Sequence, residues 1–429
     1  MPASLSDQLT ADAKLRLRAP RPTPSPIPAE TTEPVAVSPL PGEAQRNGKS
    51  IPFFRPAIGR KEIAAAIDVL SSGWLTTGPK AAEFEQRFAA FLQGGVDAIA
   101  VNSATAGLHL AAEACGIAPG DAVIVPTLTH TATASVIRYL GADVILVDID
   151  EATRTIDLDH AERCLTPRCK AIMPVHFGGF PCDMVAILDF ARRHNLKVIE
   201  DAAHALPSHR DGRMVGSWDS DACVFSFYAN KPITTGEGGM IVTRDPQVAA
   251  RVRTMRSHGL NRDAFDRFRK VGASWDYDVV APGFKYNLTD IAAAVGIVQL
   301  DRAKSLQVAR QNAACRYLER LAGLPIDCPP PAPDGSLHSW HLFPIRLHET
   351  ARASRDELVA ALTEEGIGTS VHYRPLHRMT YWRTRYPRDS HEFAVADRYF
   401  AGALTLPIFP GLTDAEIDRV VAVVRKTIT

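Results

Sequence analysis

One lysine stands in a segment whose composition would make it reactive. Lys231 follows a short apolar run by four residues and precedes a glycine-rich turn that ends at Gly239. A lysine ammonium, with an ordinary pKa of about 10.4, is a poor nucleophile until that pKa falls. Bonded to an aldehyde as an imine it becomes chemically useful, and once released it can carry protons. Taken alone, Lys231 is better explained as a surface lysine in a hairpin turn, so its surroundings must decide.

An acid stands at the end of a second apolar run. Asp201 closes the segment Val198–Asp201, which has the composition of a buried strand. Ligands of open parallel sheets bind at the carboxyl ends of the strands. A buried carboxylate needs a partner, and a protonated pyridine nitrogen is a suitable one because it turns the ring into an electron sink. The competing interpretation is a helix cap, a position that aspartate favours.

A third strand end carries small residues and then a helix. In the segment Val101–Leu108, the first-turn amides of Ala104 and Thr105 would point at an anion, and the helix dipole would reinforce them. Ser226, at the end of the strand before Lys231, offers a hydroxyl to the same anion. The competing interpretation is simple capping by Asn102 or Ser103. No GK[ST] and no GxGxxG follow the first strand, which argues against a nucleotide-binding loop.

Histidines are scattered along the chain, and one of them follows a strand. His130 ends the segment Pro126–His130, where its ring could stack on a flat cofactor, although a single histidine is more often structural. The others have no ligand spacing with a carboxylate, so no metal site is predicted. An anion cradle, an acid and a lysine at one sheet edge match the phosphate, the ring nitrogen and the aldehyde of pyridoxal phosphate. The sequence therefore predicts this cofactor.

The elements that must position these side chains alternate between helices and short apolar strands from about residue 60. Such alternation predicts an α/β fold with a mainly parallel sheet that is buried on both faces. We expect a continuous helix over Leu288–Leu321 and then a smaller α/β unit. The prolines near residue 325 mark the boundary, which gives a large domain at 51–325 and a small C-terminal domain at 326–429. The small domain is expected to contain a strand at His341–Leu347, a helix at Ser354–Glu365, a strand near Gly368–His372 and a closing helix at Asp414–Lys426 capped by Thr413.

The composition excludes several classes of protein. The 429 residues include 48 basic and 48 acidic side chains, so no overall field attracts nucleic acid or an anionic membrane. No apolar stretch approaches the roughly 20 residues of a membrane span, and no signal peptide is recognisable. Seven cysteines without a CxxC pair favour a reducing cytoplasm. Residues 1–50 hold nine of the 31 prolines and are predicted to be a disordered tail, with a docking ligand for a partner domain as the alternative.

Ordered segments over residues 51–429 resemble the DegT-type sugar aminotransferases, which have the aspartate-aminotransferase fold (fold type I). The segments that carry this resemblance are Trp74–Gly78, Asn102–Leu108, Val198–His204, Ser226–Gly239, His258–Gly259, Tyr286–Asp290 and Leu406–Pro410. Within the family, four segments are most similar to the aminotransferases that make UDP-4-amino-4-deoxy-L-arabinose: Ala171–Gly179, Pro282–Asp290, His338–Phe343 and Gly366–Tyr373.

The resemblance implies a role for each residue at the cofactor. It implies that Lys231 bonds to pyridoxal phosphate and that Asp201 pairs with the ring nitrogen. Further cofactor contacts implied by the resemblance are the phosphate ligands Ala104, Thr105 and Ser226, the stacking residue His130, and His204 beside the ring oxygen. It also implies a homodimer with shared sites, in which Asn287 reaches the phosphate of the neighbouring subunit.

The substrates also follow from the resemblance. It implies glutamate as the amino donor and a nucleotide-linked 4-keto sugar as the acceptor, with a UDP-4-keto-pentose favoured. Substrate contacts are expected at Thr77, Tyr228, His372 and Tyr373. Tyr228 and Asn230 depart from the His and Thr that are frequent in the family's lysine motif, which bears on substrate choice. The alternatives are another UDP- or dTDP-linked keto-hexose, a different pyridoxal-phosphate reaction, or a non-catalytic regulator.

Overall fold

The computed structural model describes residues 50–93, 95–261, 277–387 and 390–429. The contacts make Lys49–Thr429 a compact unit of its own. The predicted proline-rich tail lies outside the described residues, except for residue 50. In the part of the chain that is described, no helix is long and apolar enough to cross a bilayer.

The first half of this unit alternates helices and strands, as predicted. Short polar side chains begin several of the helices: Ser103 accepts the amide of Ala106, and Asp183 accepts that of Ala186. The elements are α1 Arg60–Ser72, α2 Pro79–Leu92, β1 Asp97–Val101, α3 Ala104–Ala114, β2 Ala122–Pro126, α4 Thr131–Tyr139, β3 Asp143–Val147, α5 Leu158–Arg163, β4 Cys169–Ile172, α6 Met184–Arg193 and β5 Lys197–Asp201.

The second half contains the remaining strands and the longest helix. Thr413 caps the closing helix in a capping box with Glu416, which confirms the predicted start. The elements are β6 His209–Arg210, β7 Arg213–Met214, β8 Ala222–Ser226, β9 Gly239–Thr243, α7 Pro246–Met255, α8 Asp290–Asp301, α9 Ala303–Leu321, β10 Ile326–Asp327, β11 Phe343–Leu347, α10 Arg355–Glu364, α11 Thr380–Arg385, α12 Ala394–Gly402, β12 Ala403–Leu406 and α13 Asp414–Ile428.

Two predicted elements differ from the structure. The helix expected over Leu288–Leu321 is divided at Arg302, whose guanidinium donates to the carbonyl of Ala57 (2.8 Å) and anchors the joint between α8 and α9. The strand expected near Gly368–His372 is absent from the described structure. Its first amide, on Gly368, donates to Ile51 (2.8 Å), and only Ser370 forms a bridge to β12.

In the described chain, seven strands form the central sheet in the order β1-β9-β8-β5-β4-β2-β3. Strand β9 is antiparallel to both of its neighbours, and the other pairs are parallel. The mainly parallel sheet is thereby confirmed. Because β1, β2, β4, β5 and β8 run in one direction, their carboxyl ends lie along one edge, where ligands of such sheets bind.

A second core surrounds the antiparallel sheet β10-β11-β12. It includes Ile51 and the second half of α9, from Ala313 to Leu321, in addition to residues after 325. The first half of α9 contributes Ala303 and Leu306 to the core on one face of the central sheet. Helix α9 therefore belongs to both cores, and the division at residue 325 stays a prediction.

Matched valines on two helices test the importance of this packing. Val252 on α7 is fully buried in the core beneath the central sheet, whereas Val185 on α6 is 59% exposed. We expect Val252→Ala to lower the free energy of unfolding by about 2 kcal/mol, because two buried methyl groups leave a cavity. Val185→Ala should change it by less than about 0.5 kcal/mol. Urea unfolding of both variants measures the difference, and equal losses would contradict the assigned core.

Candidate active site

A cavity of about 340 Å³ lies at the carboxyl edge of the central sheet. It collects residues that are up to 270 positions apart in the sequence, from Ser103 to Tyr373. Ten predicted site residues line it: Ala104, Thr105, His130, Asp201, His204, Ser226, Tyr228, Lys231, His372 and Tyr373.

The start of α3 forms one wall. The Ser103 hydroxyl accepts the amide of Ala106 (3.1 Å), and the Ser103 carbonyl accepts that of Gly107 (3.0 Å). The amides of Ala104 and Thr105 lie outside these two bonds and are available to an anion at the helix start. Gly239 permits this arrangement, because a Cβ atom there would lie 2.8 Å from the Ser103 carbonyl oxygen. Capping by Ser103 and anion binding are thus compatible.

Asp201 is buried at the end of β5, with its carboxylate held from two directions. Thr133 Oγ1, in the first turn of α4, donates to Oδ2 (2.8 Å), and the amide of Ala203 donates to Oδ1 (3.1 Å). Turns, and no helix, follow Asp201 between β5 and β6, so the capping interpretation does not apply. The two bonds orient the carboxylate and leave acceptor capacity for a cationic group in the cavity.

Lys231 follows β8 in a turn closed by its own amide, which donates to the carbonyl of Tyr228 (3.0 Å). Burial lowers the pKa of the Lys231 amine to about 8, although the negative charge of Asp201 acts in the opposite direction. The Nζ atom lies 3.4 Å from Nε2 of His341. A large share of Lys231 is therefore a neutral amine near pH 8, as a nucleophile or base must be.

Two of the predicted histidines line the cavity. His130 caps α4 by accepting the amide of Ala132 on Nδ1 (3.2 Å), and burial lowers its pKa. His204 accepts the amide of Gly178 on Nδ1 (3.2 Å), so its Nε2 carries the proton and donates to Tyr373 Oη (3.2 Å). Burial, together with the charge of Lys231, lowers the His204 pKa well below its usual value.

The expected substrate contacts divide into two groups. His372 and Tyr373 line the cavity, and His372 is fixed by a bond between Nδ1 and Thr405 (2.9 Å). Thr77 does not line it. Instead, Asn287 Nδ2 donates to Thr77 Oγ1 (2.6 Å), which donates to the carbonyl of Leu288 (2.5 Å). Within one chain, Thr77 and Asn287 therefore contact each other, and neither of them lines the cavity.

Sequence reasoning missed two contacts to the central groups. Thr133, which orients Asp201, follows His130 by three residues in a helical first turn, and that spacing was the available signal. His341 reaches Lys231 from 110 residues away, and no local pattern predicts such a contact. Among the described residues, no group of three or more His, Cys, Asp or Glu side chains is arranged to bind a metal ion.

The chemistry of these groups fits one cofactor. Amides at a helix start suit a phosphate, a buried carboxylate suits a protonated ring nitrogen, and a buried amine suits an aldehyde. Asn230 adds a buried side-chain oxygen that has no hydrogen-bond partner among the described residues, as expected at a ligand cavity. The fold and the cavity together define a pyridoxal-phosphate enzyme.

Comparison with known proteins identifies the family. The sequence profile of the DegT/DnrJ/EryC1/StrS aminotransferase family matches residues 56–425, and the chain belongs to this family. It is 42% identical over 386 residues to the spore coat polysaccharide biosynthesis protein SpsC of Bacillus subtilis, covering 90% of this chain and 98% of SpsC. The expected fold, aminotransferase activity and cofactor are thereby confirmed.

Solved structures agree with this assignment. Spr1654 from Streptococcus pneumoniae, in its PMP (pyridoxamine phosphate) form, superposes with a TM-score of 0.83 at 33% identity, covering 88% of this chain and 99% of Spr1654. DesI, solved in the presence of its TDP-sugar product, gives 0.77 at 30% identity, covering 88% and 92%. The finer resemblance to the enzymes that make UDP-4-amino-4-deoxy-L-arabinose stays a prediction.

Buried neutral histidines predict a pH-dependent stability. Burial, with a smaller effect of Arg154, lowers the pKa of His338 to about 3, compared with about 6.5 when unfolded. The unfolded chain therefore binds an extra proton between these values. The contribution of His338 is complete above pH 6.5 and is lost as the pH falls toward 3, by about 1.4 kcal/mol per pH unit.

His338→Asn removes this titration and retains an acceptor for the amide of Trp340, which His338 Nδ1 accepts at 2.8 Å. Between pH 6.5 and 5, we expect the free energy of unfolding to fall less steeply with decreasing pH in the variant. The slope should be smaller by about 1.4 kcal/mol per pH unit, the effect of one proton. Denaturant unfolding at several pH values measures the slope. A slope identical to that of the unchanged protein would show that His338 is not kept neutral.

Proposed function

We propose that this protein transfers an amino group from glutamate to the keto carbon of a nucleotide-linked 4-keto sugar, with a UDP-4-keto-pentose favoured. The observation that carries the proposal is the convergence of Lys231, Asp201 and the start of α3 on one cavity. Its support comes from the family, from a relative named for polysaccharide biosynthesis, and from DesI with its TDP-sugar product. The cytoplasm remains the compartment predicted from the cysteine content.

Each central residue has a distinct task in this reaction. When bound, pyridoxal phosphate supplies an aldehyde that accepts amines and a ring that takes up electrons from a neighbouring carbanion. Asp201, oriented by Thr133, would hold a proton on the ring nitrogen. The amides of Ala104 and Thr105 and the hydroxyl of Ser226 would hold the phosphate. His130, which lines the cavity, would hold the ring.

Lys231 moves protons at two stages. In the first half of the reaction the free Nζ would take the proton from the α-carbon of the donor, glutamate. In the second half Nζ would give a proton to the sugar carbon that receives the amine. A pKa of about 8 supports both steps, because neither protonation state of the amine is costly near neutral pH.

The lining of the cavity suits a sugar. His372 and Tyr373 offer a neutral ring nitrogen and a hydroxyl, and Tyr228, which also lines the cavity, is 46% exposed. Sugar hydroxyls bind to such groups without a charge that would compete with the cofactor's own partners. We place the sugar ring against His372 and Tyr373, with Tyr228 contributing to the choice of substrate.

A second copy of the chain completes the site in this proposal. Thr77 and Asn287 are hydrogen-bonded to each other and do not line the cavity of their own chain, so in this proposal they serve the cavity of a neighbouring subunit. Ile67, Leu70 and Leu75, which are each about half exposed, would be covered by the second copy in this proposal. Asn287 would donate to the phosphate in the partner's cavity, and Thr77 would approach the partner's substrate.

Lys231→Ala tests the assigned lysine. We expect turnover to fall by about 10⁴-fold, because both the covalent link and the proton carrier are lost. The absorbance of the imine between Lys231 and the cofactor should also disappear, which a spectrum measures directly. Lys304→Ala, on the exposed face of α9, is the control and should change neither. Normal absorbance and activity in Lys231→Ala would end the proposed role.

The substrate is tested with a panel. Incubation with glutamate and UDP- or dTDP-linked 4-keto sugars, followed by mass spectrometry and NMR of the products, should give one preferred aminated sugar and oxoglutarate. The expected best acceptor is a UDP-4-keto-pentose, and a preferred keto-hexose would correct the sugar but keep the reaction. A cofactor absorbance that glutamate leaves unchanged would instead favour a different pyridoxal-phosphate reaction or a non-catalytic regulator.

A further inference from the structure

The loop His338–His341, which leads into β11, is buried and tied to its surroundings along its length. The Ser339 hydroxyl donates to the carbonyl of His204 (2.6 Å). The Trp340 indole donates to Gln311 on α9 (2.7 Å). These two bonds attach the loop both to the cavity of the central sheet and to the second core. The loop lies far from Lys231 in the sequence.

A buried cation and an unfavourable backbone conformation maintain this loop. Arg310 on α9 is 3% exposed, and its Nη1 donates to the carbonyls of Trp340 (3.2 Å), His341 (3.4 Å) and Ile408 (3.0 Å). Trp340 adopts φ 52°, in the left-handed region that disfavours residues with a side chain. Burying a guanidinium and straining a tryptophan both cost stability, and such costs cluster at functional sites. These contacts fix the position of the next residue, His341.

His341 faces the lysine from behind the cavity. Its Nε2 lies 3.4 Å from Lys231 Nζ, and its ring centroid lies 4.6 Å from that of His204. The side chain is buried, and Nδ1 has no hydrogen-bond partner among the described residues. Among the described residues, Lys231 is the group within hydrogen-bonding distance of the His341 ring. Burial keeps the pKa of His341 well below its usual value, so the ring is neutral.

We propose that His341 is a positioning residue for Lys231: its Nε2 accepts a hydrogen bond from the lysine amine and holds that amine at the cavity whenever it is not bonded to the cofactor. The inference rests on the proposed role of Lys231. A neutral acceptor suits this task, because a carboxylate at the same place would keep the lysine charged and unable to take a proton. In the proposed function, the negative charge of Asp201 pairs with the nitrogen of the cofactor ring and not with Lys231.

Other titratable groups also face Lys231 and must be held constant in a test. They come from β5, the start of α4, the turn after β5, the loop before α11 and the lysine turn itself: Asp201, His130, His204, His372, Tyr373, Tyr228 and Glu237. Substitutions at position 341 change none of these residues.

The pKa of Lys231 is measured by labelling the full-length protein, in its pyridoxamine-phosphate form, with acetic anhydride over a range of pH and quantifying the Lys231 peptide by mass spectrometry. We expect His341→Leu to lower this pKa by about one unit, since the ammonium loses its acceptor. His341→Gln, whose amide oxygen reaches the place of Nε2, should restore the original pKa. A structural role alone would not produce this rescue.

The control is His109→Leu, which removes another buried histidine with an unpaired ring nitrogen and no contact to Lys231. It should leave the lysine pKa unchanged even if the melting temperature falls. An unchanged pKa in folded His341→Leu, or an equal shift in His109→Leu, would overturn the proposal. If His341→Leu does not fold, His341→Gln and His341→Asn decide, because the shorter Asn withdraws the acceptor, and equal values would contradict us.

This result is separable from the test of Lys231 itself. If Lys231→Ala keeps the imine absorbance, the proposed function of the lysine fails, whatever the labelling shows. If Lys231→Ala loses the absorbance but substitutions at 341 leave the lysine pKa unchanged, only the role of His341 fails.

Discussion

The balance between burial and the attraction of Asp201 sets the state of Lys231, and the cavity is organised around that balance. Burial favours the neutral amine, whereas the carboxylate favours the ammonium. The result is an amine whose two protonation states are close in free energy near neutral pH. Because the carboxylate is held by Thr133 and the amide of Ala203, its place relative to the lysine is fixed by β5 and α4 and not by the ligand.

The histidines around Lys231 are neutral, and their lack of charge helps to maintain this balance. His204 and His341 lie with their rings 4.6 Å apart, and burial lowers the pKa of both well below the usual value. A second positive charge at either place would push the lysine further toward the neutral form and would compete for Asp201. Neutral imidazoles at these two places leave the electrostatic pair of Lys231 and Asp201 undisturbed.

The sequence predicts this site well wherever the signal is local. Lys231, Asp201 and the Ala104 amide each follow an apolar run, and a parallel sheet necessarily gathers such strand ends at one edge. Contacts between distant segments escape prediction: nothing near position 341 indicates that its ring will reach Lys231. The break at Arg302 and the irregular segment after Gly368 escape for the same reason, since partners near residues 51–57 determine both.

Helix α9 has a consequence for dissecting the chain. Its first turns pack against the central sheet through Ala303 and Leu306, and its last turns pack through Tyr317 and Leu321 under the three-stranded sheet. A fragment starting at residue 326 would lose part of its interior and expose apolar surface to water. Two halves cut there and expressed separately should therefore aggregate. A recombinant library that exchanges segments between relatives would yield more folded members if α9 came from the same parent as the two cores that it joins.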